Sequence, residues 1–386
     1  MSNLTPATKL AILLTARWAV NGAKPLSNTE FAEIRRAIGP AQAGAQLLLN
    51  GDFEFDSISI DQTRLKDLLA RGLGVFQSID RWMQAGIWVV SWADAEYAER
   101  FKQLKQRAPV LLFGYGNPNA FSSRALAIVG SRNADDDRLN MAAEIGRACS
   151  ANQITVVSGG ARGVDSFAMS AGIVGSGTVV GVLADSLLKE SGKKLYRDAI
   201  REGRMCLMSE VHPEARFDVG TAMARNRLAY ACADAALVVE CDPNRGGTWA
   251  GALEALREGK AVYVLRGARA ERQLVQQGAI LVDMSFAVHP EKLIQGERPS
   301  IEVPKTVQTA ELLRRLIGDP VRSVPEICKS ISENIEEFVQ ELVESATQDG
   351  LVSSPTQTSE TGPEGLKPKK RKSNRETAVS LFDSQS

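Results

Sequence analysis

Residues 156–168 read VVSGGARGVDSFA: two β-branched residues, a serine, a glycine pair, then Arg162, Gly163 and Asp165. A short β-branched run that breaks off in glycine and gives way to a helical pattern is a strand-to-helix turn. The same texture recurs on both sides, in PVLLFGYG, ALAIVGS, TVVGVLA, MCLMSE, AALVVEC and AVYVL. Amphipathic stretches such as RLNMAAEIGRACSA and TWAGALEALREGK separate these runs. Strands alternating with helices predict an α/β domain with a mostly parallel, doubly wound sheet covered on both faces, here spanning 106–295.

The flanks have a different character. Residues 1–105 show helical spacing in ATKLAILLTARWAV and in LKDLLARGLGVFQSIDRWMQAG, which predicts an N-terminal helical domain with Trp82, Trp88 and Trp92 in its core. Residues 305–355 again carry helical segments, TAELLRRLIG, SVPEICKSIS and NIEEFVQELVESATQDGLV. They suit a small winged-helix-like domain or a three-helix appendage without DNA contact. Residues 356–386 are polar, with a Lys/Arg run from Lys367 to Arg375, and read as a disordered basic tail. That run either strengthens contact with DNA or is a solvated charge cluster.

Composition narrows the chemistry. The 386 residues, 44% apolar and 24% charged, suffice for two or three domains with full cores. Lys+Arg and Asp+Glu both number 46, so any anion site must be local rather than a property of the whole surface. The five cysteines, Cys149, Cys206, Cys232, Cys241 and Cys328, show no Cys-x-x-Cys pair and read as buried free thiols of a cytoplasmic protein. No stretch reaches the roughly 18 apolar residues of a membrane span, and the N-terminus lacks a signal-cleavage pattern. Only two histidines occur, His212 and His289, a poor supply for a catalytic triad or a metal site. No metal, cofactor or catalytic residue is expected.

In a doubly wound sheet, ligands bind beyond the carboxyl ends of the strands. Four segments place special residues there: Gly130-Ser131-Arg132; Ser158, Gly159, Gly160, Arg162 and Gly163; Arg225-Asn226-Arg227; and Gly246-Gly247-Thr248. Glycine admits close approach of the backbone, the next helix presents free N–H groups, and hydroxyls and guanidinium groups complete a phosphate cradle. Asp165 caps its helix or orients Arg162 on this reading. Neither a G-x-x-x-x-G-K-[ST] loop nor a G-x-G-x-x-G turn after a strand is present, which argues against a P-loop ATPase and a dinucleotide enzyme.

Over roughly 92–270 these elements, in this order, resemble the DNA-processing protein A family (DprA, or Smf). ALAIVGSR resembles its AIVG-x-R element, SGGARGVDSFA its SG-x-ARG-[IV]-D-x-x-A signature, MSEVHP its SE-x-P strand end and ARNRLAY its RNR element. VVECDPNRGGTWAGALEALREGKAVYVL resembles the family's last segment. Three positions depart from its pattern: Met169 replaces a histidine, ADSLL follows TVVGVL, and Arg266-Gly267 replaces Pro-Gly. The resemblance implies a Rossmann-like domain that binds single-stranded DNA without catalysis, forms a homodimer and helps load a RecA-type recombinase. If Arg132, Arg162, Arg225 and Arg227 each met one phosphate, log affinity would fall with log salt by about 2.8, at about 0.7 per phosphate.

Two alternatives use the same pocket. One is a nucleotide sensor. The other is an N-glycosidic nucleotide hydrolase, echoed by Met223, Arg227 and GGTWAGALE, but Gly251 stands where that enzyme needs its carboxylate and Glu254 lies a helical turn later. Trp249 is placed either to stack on a base or to pack helix against sheet. The terminal Val379-Ser380-Leu381-Phe382 resembles sliding-clamp-binding peptides, whose Leu-Phe pair fills an apolar pocket.

Overall fold

A computed structural model describes residues 4–18, 22–39, 41–52 and 58–299. The expectations for 305–355, for the tail and for Leu381 and Phe382 lie outside the described residues, as does Cys328.

Nine strands form one sheet: β1 (Ile87–Ser91), β2 (Leu111–Gly116), β3 (Ala125–Gly130), β4 (Thr155–Ser158), β5 (Val179–Val182), β6 (Met205–Ser209), β7 (Ala235–Glu240), β8 (Ala261–Leu265) and β9 (Ile280–Val282). Their order is β1-β2-β6-β5-β4-β3-β7-β8-β9. From β6 to β9 neighbouring strands run parallel, while β2 is antiparallel to both β6 and β1. Strands β4 to β7 are buried at every position, as expected of a parallel sheet covered on both faces. The doubly wound α/β architecture is therefore as the sequence predicts.

Five helices come first: α1 (Pro6–Thr15), α2 (Asn28–Ala37), α3 (Ala41–Asn50), α4 (Gln62–Ala70) and α5 (Gly72–Gln84). Ser27 and Glu30 start α2 with a reciprocal capping box. The short α6 (Glu99–Lys102) follows β1. The connections of the sheet are α7 (Asp136–Ala151), α8 (Val164–Val174), α9 (Leu187–Ser191), α10 (Lys194–Arg201), α11 (Val219–Ala231) and α12 (Gly246–Arg257). Residues of α7, α8 and α10 join one core and residues of α11 and α12 the other, so the sheet separates two apolar layers. The chain ends its described part with α13 (Glu271–Gln276), α14 (Met284–Ala287) and α15 (Pro290–Ile294).

The sheet crosses the boundary that the sequence reading places at 105. Strand β1 lies inside the stretch read as helical and pairs with β2, Ile87 opposite Tyr115. Leu10, Leu14, Phe31, Leu65 and Trp82 of the helices share one core with Val89 and Phe113 of the hairpin. Residues 1–299 accordingly form one compact unit. Trp82 is buried, whereas Trp88 and Trp92 are only partly so.

Order in the sheet reverses at β3, which has β4 on one side and β7 on the other. The chain leaves β3 into α7 and β7 into α12, on opposite faces, and a crevice opens between the two strand ends. The β3–β7 register slips there, between Val129 and Gly130.

Candidate functional site

The loops after β3 and β4 are pressed against each other. Gly163 has φ 89°, and a Cβ on it would lie 2.8 Å from Arg132 Cα. A Cβ on Gly130 would lie 2.6 Å from Val164 Cγ2. These two glycines are there because the loops have no room for a side chain. Two of the N–H groups that open α8 are already used: Val164 N–H donates to Ser131 O (3.3 Å) and Ser166 N–H to Ala161 O (3.1 Å). The Ser158 hydroxyl, fully buried, donates to Ile128 O at 2.6 Å.

An anion does occupy the bare backbone of 159–161, and it belongs to the chain itself. Asp165 neither caps α8 nor orients Arg162. Its carboxylate accepts from Gly130 N–H at 3.4 Å. The N–H groups of Ala161 and Gly159 also favour its charged form. Arg225 reaches over from α11 and places Nη1 3.3 Å from Asp165 Oδ2. Arg225 is 4% exposed and Asp165 6%. A Cβ on Gly159 would overlap the Arg225 guanidinium, so this glycine makes room for a buried ion pair rather than for a ligand. Burial pushes the Asp165 carboxyl up and the Arg225 guanidinium down, each pulled back by the other's charge.

The remaining RNR residues are also engaged. Arg227 is mostly buried and has Nη2 3.7 Å from Glu210 Oε2. A Cβ on Gly247 would overlap Asn226 Nδ2, so Asn226 packs on the first turn of α12. Thr248 Oγ1 donates to Gly130 O at 3.2 Å, tying α12 to β3. The third segment thus holds the floor of the crevice together, and neither Arg225 nor Arg227 extends into solvent.

The rim is different. A cleft of about 450 Å³ opens above the floor, lined by Arg132, Phe217, Met223, Asn226, Arg245 and Gly246 among others. Arg132 is exposed, has no ion-pair partner among the described residues, and places Cζ 5.3 Å from the centre of the Phe217 ring. Phe217 itself is 50% exposed. Arg162, also exposed, has Nη2 at 3.5 Å from Asn133 Oδ1 on the abutting loop. Arg245 lies beside Asp242, 3.3 Å away. The α12 helix begins at this rim without a side-chain cap, at Gly246 with φ 83° and open space where a Cβ would be. Its first N–H groups and the positive end of its dipole therefore face the cleft.

Arg132 and the Gly246–Gly247 turn line the cleft together, whereas Arg162 lies on the abutting loop and is not among its lining residues. Trp249 does not join them: at 8% exposure it packs in the core with Leu228 and Ala252. The aromatic ring at the cleft is Phe217, which the sequence reading missed because it lies in an irregular segment before α11. Glu254 pairs with Arg107 and does not line the cleft, leaving the hydrolase pattern without its carboxylate. Among the described residues no His/Cys/Asp/Glu group could hold a metal ion, and no helix is long and apolar enough to cross a membrane. Cys149, Cys206, Cys232 and Cys241 are free and buried. Burial pushes the Cys232 and Cys241 thiols up to about 12, which disfavours the reactive thiolate.

The fold has counterparts. The Streptococcus pneumoniae DNA processing protein A crystal structure superposes with a TM-score of 0.56 at 22% identity, covering 75% of this chain and 98% of that one, which shows a shared fold. Protein Smf of Escherichia coli is 28% identical over 256 residues, 61% of this chain and 67% of its own length. Mycobacterium tuberculosis DprA is 32% identical over 155 residues, and the match spans only 39% of that protein. The model of the family described as DNA recombination-mediator protein A matches residues 88–290, just over half of the 386 residues and more than the 92–270 that carry the motifs. The chain belongs to the DNA recombination-mediator protein A family, whose members are also named DprA or Smf.

Proposed function

We propose that this protein binds single-stranded DNA in the cleft at the ends of β3 and β7 and serves DNA recombination without catalysing a reaction. One observation carries the reading: an unpaired Arg132 lies over the exposed Phe217 beside the uncapped start of α12. A phosphate belongs at the helix N-terminus and the guanidinium, and a base on the aromatic ring. Arg162, on the abutting loop, extends the phosphate track. Membership of the family supports the reading, and with it the proposals of a RecA-type recombinase as protein partner, a homodimer through the Rossmann-like domain and a cytoplasmic setting.

With Arg225 and Arg227 engaged internally, two arginines rather than four are available to DNA. Log affinity for oligo-dT should therefore fall with log salt by about 1.4, at about 0.7 per phosphate, and Arg132→Ala and Arg162→Ala should each remove about half of that slope. A slope that neither substitution changes would refute the assignment. A cleft of about 450 Å³ also has the size of a small-molecule site. Competition decides between the two: a strand binder releases labelled oligo-dT to unlabelled oligo-dT but not to equal phosphate supplied as dTMP, and a nucleotide sensor does the reverse.

A further inference from the structure

A second hollow, about 570 Å³, lies away from the cleft, between α2 and the segment that joins β1 to β2. Arg35 and Arg36 line it from α2, Lys102 and Lys105 from the facing segment, with Trp92 and Tyr97 between them. Among the described residues its lining contains no aspartate or glutamate. In a chain with 46 basic and 46 acidic residues, four cations around one concavity with no acid among its described lining residues are a local separation of charge. Lys102 has Glu99 at 2.7 Å, outside the lining. Arg35, Arg36 and Lys105 have no ion-pair partner among the described residues.

The walls are firm. Arg35 holds Cζ 5.1 Å from the centre of the Trp92 ring, and Phe31 meets that ring edge-on at 5.0 Å. The Tyr97 hydroxyl donates to Pro109 O at 2.8 Å. Lys105 adopts the left-handed backbone, φ 53°, which lysine seldom takes. Like charges held around a concavity repel one another until an anion enters. Three unpaired cations match consecutive phosphates better than a single carboxylate, and the volume admits more than one phosphate group.

We propose that this hollow is a polyphosphate-binding site, separate from the cleft, that takes successive phosphates of a nucleic acid strand or of a free polyphosphate. The full-length protein with nitrogen-15-labelled tryptophan indoles tests it, because a charge arriving beside Arg35 moves the Trp92 resonance, assigned with Trp92→Phe. The probes are tripolyphosphate and oligo-dT at constant ionic strength. A Trp92 shift with both probes assigns the site to phosphate from either source; with oligo-dT alone, to a strand; with tripolyphosphate alone, to a free polyphosphate. In Arg35→Gln/Lys105→Gln, whose side chains are exposed in the wild type, the apparent affinity should fall at least about tenfold with an unchanged melting curve. In Arg132→Ala/Arg162→Ala the tripolyphosphate shift should persist, so loss of the cleft and loss of this site are read separately. A Trp92 resonance that neither probe moves, or that moves as before in the double glutamine variant, overturns the proposal.

Discussion

The floor and the rim of the cleft are built from the same residue types and put them to opposite uses. On the floor, Arg225 lies across Gly159 and neutralises Asp165, and the loop amides close on that carboxylate. On the rim, Arg132 has no ion-pair partner among the described residues and rests over an aromatic ring half exposed to water. An arginine and a glycine in a motif therefore do not by themselves mark a phosphate site. What distinguishes the two is whether the chain already supplies the anion.

The sharpest way to break this contrast is to remove a floor residue. Arg225→Ala leaves the Asp165 carboxylate buried and uncompensated, and should cost about 3–5 kcal/mol of stability in denaturant unfolding. If instead it only weakened DNA binding, the floor would be part of the ligand site. The two aromatic residues sharpen the contrast at the next level. Trp249→Ala should cost about 3–5 kcal/mol of folding stability. Phe217→Ala should leave the melting temperature nearly unchanged and weaken oligo-dT binding by about 1–3 kcal/mol. An exchange of those two outcomes would return the stacking role to Trp249.

The smallest effect concerns an ion pair between floor and rim in exposure. Arg64, 2.5 Å from Glu30, holds that carboxyl down from 4.5 to about 2. Between those values the unfolded chain binds more protons than the folded one, so stability rises with pH across that window. The advantage of wild type over Glu30→Gln should be full above pH 4.5 and fade as pH falls toward about 2. Acid titration of the two proteins in denaturant measures it, and a difference that does not change with pH would contradict the assignment.

Much of the fold was legible because the β2 to β8 runs are short, mostly apolar and bounded by turn residues. Strand β1, IWVVS, was not, since it follows a long helical pattern and a run of four apolar residues suits either element. The site was legible by loop and not by side chain. One correction was available beforehand: Arg225 and Arg227 stand two residues apart on α11, about 200° around the helix, so they could not both face one ligand. Burial of Arg225 was not available, because it depends on Asp165 and Gly159, brought to it by tertiary packing. Phe217 carried no signal at all, for an aromatic residue in an irregular segment has no period to reveal its face.

The interlock of Gly159, Asp165 and Arg225 also bears on how such a protein can diverge. A lineage that replaced Gly159 with any larger residue would have to give up the guanidinium lying over it, and then the acid left without a counter-ion. A change at any of these three positions disturbs the other two, whereas Arg132 and Phe217 lie exposed at the rim and can each be changed alone.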